Sequence, residues 1–222
     1  MTEKFSARLR QGTATIHDDV EHTDFMVDLM EGRLDAEAYA TLLTQYEVIY
    51  AALEERARAF ADDPVFAAFH DPRLERHARI VADLAVLNSS GAGVGSGAGS
   101  GAESGAESGV VPAARDYALR LSAIETPEAM IAHHYTRYLG DLSGGQAIGT
   151  LMARHYGIGA EALTMWDFSA LGKTKPYKDD YRGRLDEIAA TGGDEQAVLD
   201  ETIAAFEVNG ALLSELTRER AA

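Results

Sequence analysis

The chain has no cysteine. That absence removes disulfides, thiolate metal sites and a cysteine nucleophile together. Proline is scarce, 5 in 222 residues, and there is a single tryptophan. No stretch approaches the roughly 18 uninterrupted apolar residues of a membrane-crossing helix. The opening residues, MTEKFSARLRQ, hold no apolar core, so no signal peptide is expected, and the chain ends without an apolar tail. These absences predict a soluble, cytoplasmic protein, taken as a monomer. Lysine is rare as well: Lys4, Lys173, Lys175 and Lys178 are the only ones among 20 basic residues. The net charge of −16 makes the chain a poor partner for nucleic acid or an anionic membrane. The acidity favours solubility, and a sharper reading is adaptation to high salt. Three of the four lysines fall in KTKPYK, residues 173–178, and a scarce residue that clusters asks for a local reason.

What is present points to helix. Apolar residues make up 46 % of the chain, enough for a sizeable core, and they are mostly Ala and Leu. Tyr39, Leu42, Leu43, Tyr46, Ile49, Tyr50 and Leu53 follow helical spacing. Asp63-Pro64, Asp71-Pro72 and Thr126-Pro127 each place a capping side chain before a first-turn proline. Gly32 and Gly157 stand where helices should stop. No alternating strand pattern occurs. The spacing predicts helices over about 3–30, 35–61, 64–70, 72–88, 112–122, 127–156, 174–190 and 194–218, with short helix and loop over 158–173. The expectation is one all-α domain over residues 1–222. Residues 88–109, NSSGAGVGSGAGSGAESGAESG, with the tandem unit GAES, have nothing to bury and read as a flexible insertion.

The run YLGDLSGGQ, 138–146, raises a question. Gly140, Gly144 and Gly145 sit inside a long helical pattern, where each glycine costs about 1 kcal/mol relative to alanine. Three readings compete: a loop between two helices, a close helix–helix contact, and a backbone face laid against a flat ligand. Arg137, Tyr138 and Asp141 beside the glycines favour the third, since a purely structural contact would not need them. A flat ligand needs a second wall. TATIHDDVEH offers one: Glu21 lies four residues after His17, on the same helix face, and a carboxylate commonly orients a metal-ligating imidazole. Taken alone, such a pair is usually only polar surface.

With both walls in one chain, the sequence resembles the heme oxygenases. HHYTRYLGDLSGGQ is similar to the family's distal-helix signature, TIHDDVEHTDFM to its proximal segment, and YEVIYAALEE, KPYKDDYRGRL and AFEVNGALL to further blocks. The resemblance runs over essentially the whole chain except 88–109. It implies a single helical domain with heme, both substrate and cofactor, sandwiched between proximal and distal helices. It implies ring opening to biliverdin, carbon monoxide and ferrous iron, with O2 and electrons from a ferredoxin or flavoprotein reductase. By position, His17 is the axial ligand and Glu21 its partner, and Gly140 and Gly144 contact the heme face. Asp141 organises distal water with Tyr50 and Arg137. Arg10, Lys178, Arg182 and Tyr135 attend the propionates, and Phe206 and Asn209 line the pocket. Ala14 departs from the family's frequent basic residue there, leaving Arg10 as the only cation of the first helix toward the propionates.

Rival readings have less behind them. A di-iron bundle needs two Glu-x-x-His motifs, and only Asp19-x-x-His22 comes near. A thiaminase-type hydrolase needs the missing cysteine. A heme-binding or storage protein needs only His17 and the cations, and Asp141 tips the balance toward catalysis. His133 and His134 are adjacent, so they cannot both face one metal, and a surface position with one core contact is expected of them. His22, His70, His77 and His155 are expected at the surface.

Overall fold

The computed structural model describes residues 3–91 and 109–221. All regular structure among them is helical: α1 (Phe5–Gly12), α2 (Ala14–Glu21), α3 (Asp24–Met30), α4 (Ala36–Ala59), α5 (His77–Ser89), α6 (Pro112–Ser122), α7 (Pro127–His134), α8 (Gln146–Tyr156), α9 (Thr174–Leu185) and α10 (Glu195–Ala221). The long helix α4 is the spine, packed against α5 and α6. Helix α10 lies across α7, α2, α3 and α6. The core between them is rich in large side chains, among them Tyr39, Tyr50, Phe66, Tyr117, Tyr138 and Tyr181, each no more than 2 % exposed. The expectation of a flexible insertion falls mostly on residues outside those described. Its first two residues, Asn88 and Ser89, instead close α5.

Several local signals act as expected. Thr126 accepts from Ala129 N at 3.3 Å and caps α7; Asp35, not singled out from the sequence, caps α4 in the same way, accepting from Ala38 N at 2.8 Å. Gly157 ends α8 in the left-handed region, at φ +67°.

Others are overridden by packing. The helix expected over 3–30 is three helices. It breaks at Thr13, buried, with its hydroxyl donating to Leu9 O at 2.8 Å. There α1 approaches α10 so closely that a Cβ on Gly12 would stand 2.9 Å from Leu199 Cδ1. It breaks again at Thr23, which is extended. The helix expected over 64–70 is a run of turns. Asp63 accepts from Val65 N and Phe66 N, but so short a segment does not repay helix nucleation. Pro72–Leu74 make only a 3-10 turn, and α5 starts at His77. The reason is Arg76. Its buried guanidinium takes the carbonyls of Arg73, Leu74 and Asp167 at 2.7–2.8 Å, while Glu54 on α4 accepts from Arg76 N and His77 N.

The segment 127–156 stays helical throughout. Between α7 and α8 it widens into two π-helical turns, Tyr135–Leu139 and Asp141–Gly145. Gly140, between them, has φ −59° and ψ −53°, ordinary right-handed values. The loop reading of the glycines is therefore overturned. π-Turns are rare and concentrate at functional sites.

Candidate active site

A cavity of about 480 Å³ opens between the α1–α2 corner and the π-helical stretch. Its proximal wall carries Arg10, Thr13, Ala14, His17, Asp18 and Glu21, and its distal wall Tyr135, Thr136, Leu139, Gly140, Ser143 and Gly144. Phe206 and Arg182 close the sides. His17 stands edge-on to Phe206, ring centres 5.5 Å apart, with Nδ1 3.5 Å from Glu21 Oε2. The pair His17 and Glu21 and the glycines Gly140 and Gly144, expected on opposite walls, are thus brought to one cavity.

The glycines divide into two functions. A Cβ on Gly140 or Gly144 would meet nothing within 4 Å, so both leave the distal backbone open to the cavity. A Cβ on Gly145 would strike Trp166 Cε3. The helix–helix reading is not met: Gly140 and Gly144 touch no other helix among the described residues and fit the ligand-face reading, while Gly145 packs against the Trp166 side chain of a 3-10 turn.

Asp141 is 7 % exposed and stands behind the cavity lining. It accepts a short hydrogen bond from Tyr50 of α4. Arg137 Nε donates to Tyr50 Oη at 3.3 Å, and its Nη1 donates to Asn209 Oδ1 of α10 at 2.9 Å. The guanidinium lies over the Tyr46 and Tyr50 rings, 4.3 and 4.9 Å from their centres. Burial raises the Asp141 carboxyl above the ordinary carboxylate range, with Arg137 and the Tyr50 hydrogen bond pulling the other way. Burial carries the Tyr50 phenol well up, so it is a donor at neutral pH. Asn209, expected in the lining, is instead bound to Arg137 behind it.

At the cation edge, Arg10 and Arg182 reach the cavity, and Arg182 also pairs with Asp179 at 3.1 Å. Burial raises the Tyr135 phenol, against the pull of Arg182 and Arg10. Lys178 is not in the lining. Its Nζ donates to Ser143 Oγ at 3.2 Å and Leu142 O at 3.4 Å, tying α9 to the distal wall.

Two histidine expectations are corrected. His133 and His134 are both buried. His133 Nε2 donates to Glu201 Oε1 at 2.9 Å, and its Nδ1 faces the Tyr117 hydroxyl at 3.2 Å. His134 bonds the Tyr181 hydroxyl at 2.8 Å and lies parallel to that ring, and burial pushes its pKa down to about 3. His70 is only partly at the surface, its Nε2 buried without a hydrogen-bond partner among the described residues. Sequence reasoning missed Ser6, Thr13, Asp18, Thr136, Leu139 and Ser143 in the lining. Thr136 lies four residues before Gly140 and Ser143 three after it, so the helix face of the glycines was the available signal for those two.

The family model described as heme oxygenase matches residues 3–215. The chain belongs to the heme oxygenase family. A heme oxygenase from Takifugu rubripes is 33 % identical over 96 % of this chain and 74 % of its own length. Heme oxygenase 1 of a Nostoc strain is 28 % identical over 97 % of this chain and 87 % of its own. Among solved structures, Synechocystis heme oxygenase-1 in complex with heme superposes with a TM-score of 0.82 at 25 % identity, covering 99 % of this chain and 96 % of that one. The Leptospira interrogans heme oxygenase gives 0.83 at 27 % identity, covering 96 % and 100 %. Family, fold and relatives make this chain a heme-degrading oxidoreductase with the all-α, single-domain heme oxygenase fold. No helix among the described residues is long and apolar enough to cross a membrane.

Proposed function

We propose that the protein opens the heme ring to biliverdin, carbon monoxide and ferrous iron, using O2 and electrons from an external donor such as a ferredoxin or a flavoprotein reductase. The observation that carries this is the pairing of walls. An imidazole with a carboxylate behind it faces a stretch of helix whose glycines leave room for a flat guest. The residues fit heme. Among those described, no three His, Asp or Glu side chains converge on a metal-sized hole. An iron ligated by His17 must therefore bring most of its ligands with it, as a porphyrin does.

Heme supplies the redox-active iron and the ring that is opened. The protein's own residues do the rest. His17 ligates the iron, and the Glu21 carboxylate fixes the imidazole tautomer by accepting from Nδ1. Arg10 and Arg182, with Tyr135, receive the two carboxylates and offset the long-range repulsion of a −16 protein. Lys178 adds charge to that edge while it holds the distal wall through Ser143. The distal lining carries no histidine or carboxylate, so no general base touches the guest's face. Asp141, held by Tyr50 with Arg137 and Asn209 behind, orients distal water and passes protons to that face.

The test adds heme, then ascorbate or a reductase system under oxygen. Loss of the Soret band with biliverdin appearing is expected. A Soret band that persists through reduction would leave a heme carrier instead.

A further inference from the structure

The cavity side of the distal helix has drawn all the chemistry, yet its opposite side holds the tightest fit. Gly145 and Gly149 lie four residues apart and both are buried, away from the cavity lining. One indole fills the space above both. A Cβ on Gly145 would stand 2.5 Å from Trp166 Cε3, and one on Gly149 3.2 Å from Trp166 Cδ1. The indole is itself anchored. Its Nε1 donates to Tyr39 Oη of α4 at 2.9 Å. Its turn is held to α5 by the fully buried Asp83, which accepts from Thr164 N at 3.0 Å and from Met165 N at 2.8 Å. Arg76, buried beside it, takes Asp167 O at 2.7 Å. A rigid path thus runs from α4 and α5 through Trp166 to the back of the distal helix.

On the reading that this cavity takes heme, we infer that Trp166 is a positioning residue: it is the buttress that sets how far the Gly140–Gly144 wall stands from the guest. The π-turns before Gly145 are the compliant part of the helix. They are bounded on one side by His134, locked in the core, and on the other by the indole. A stop behind the wall keeps it from receding, and the missing Cβ atoms at Gly145 and Gly149 let the helix settle directly on the indole. A purely structural role would stabilise the fold without fixing this distance.

Two experiments decide. The first needs no heme. In the heme-free protein, Trp166→Phe is expected to raise amide exchange over residues 140–149 about ten-fold, with α4 and α6 unchanged. No change, or an equal rise everywhere, overturns the inference. The second measures heme binding. Gly145→Ala should weaken heme affinity about ten-fold by pushing the wall into the cavity, and Trp166→Leu added to it should restore affinity to within about three-fold. Absence of rescue in a folded double variant also overturns it. Should wild type take up no heme, the heme reading fails while the exchange result still decides the buttress. Trp166 is the only tryptophan, so a red shift of its emission in Gly145→Ala reports its displacement directly.

Discussion

The two walls of the cavity are built differently. The proximal wall comes from two helices of eight residues each, and its key pair is open, with the His17 side chain 48 % and the Glu21 side chain 62 % exposed. The distal wall is a continuous helical stretch whose polar groups, Arg137, Tyr138 and Asp141, are buried and partnered from α4 and α10. The exposed wall is completed by its guest. The buried wall is complete beforehand, as an electrostatic environment must be if it is not to reorganise during reaction. Substitutions on the first wall should therefore change binding and chemistry while sparing the heme-free fold. Substitutions on the second should change both.

The sharpest break is His17→Ala. Loss of the histidine-ligated heme spectrum and of all biliverdin formation is expected, with heme-free stability within about 0.5 kcal/mol of wild type, as for an exposed site. An unchanged heme spectrum would refute the assignment. Asp141→Ala should retain heme and lower biliverdin yield per turnover by about a hundred-fold, the lower end for a lost proton-transfer group. Normal yield would remove the water-network role. Gly144→Leu separates binding from folding on one residue. A Cβ there meets nothing within 4 Å and points to the cavity, so stability should rise by up to about 1 kcal/mol while heme affinity falls about ten-fold. Equilibrium unfolding and heme titration of the same preparation check it.

Asp141→Asn tests the burial cost by pH. Burial raises the folded carboxyl above its unfolded value, with Arg137 opposing. A raised folded pKa contributes stability that is fully present below the unfolded value and lost as the pH rises through the folded one. At neutral pH the wild type buries a charge that asparagine lacks. The heme-free variant should then be more stable by about 1 kcal/mol, the gain shrinking as the pH falls toward about 4. Denaturant midpoints across that range check the sign. The smallest effect is expected from excising residues 92–108. Gln45 holds the far side in place, donating to Gly109 O at 2.9 Å and accepting from Val111 N at 2.8 Å. A shorter connection should change stability by under about 1 kcal/mol and leave heme binding intact.

Much of this was legible in order along the chain. Thr126 and Gly157 act through neighbours a few residues away, so a helix start and a helix stop could be read from them. Both walls were legible too, because His17 with Glu21 and Gly140 with Gly144 are one helical turn apart. Other features were not, because their causes lie far away in the chain. Thr13 breaks the first helix where Gly12 meets Leu199. Arg76 delays α5 by drawing carbonyls from two segments. His133 and His134 are buried by Tyr117, Glu201 and Tyr181.

The sequence alone determined that the chain is helical, where a bare helix face lies, and which imidazole could oppose it, since those follow from composition and local spacing. Tertiary structure alone decided which glycines face the cavity and which receive Trp166. Spacing along a helix says which residues share a face, but only packing says what that face meets.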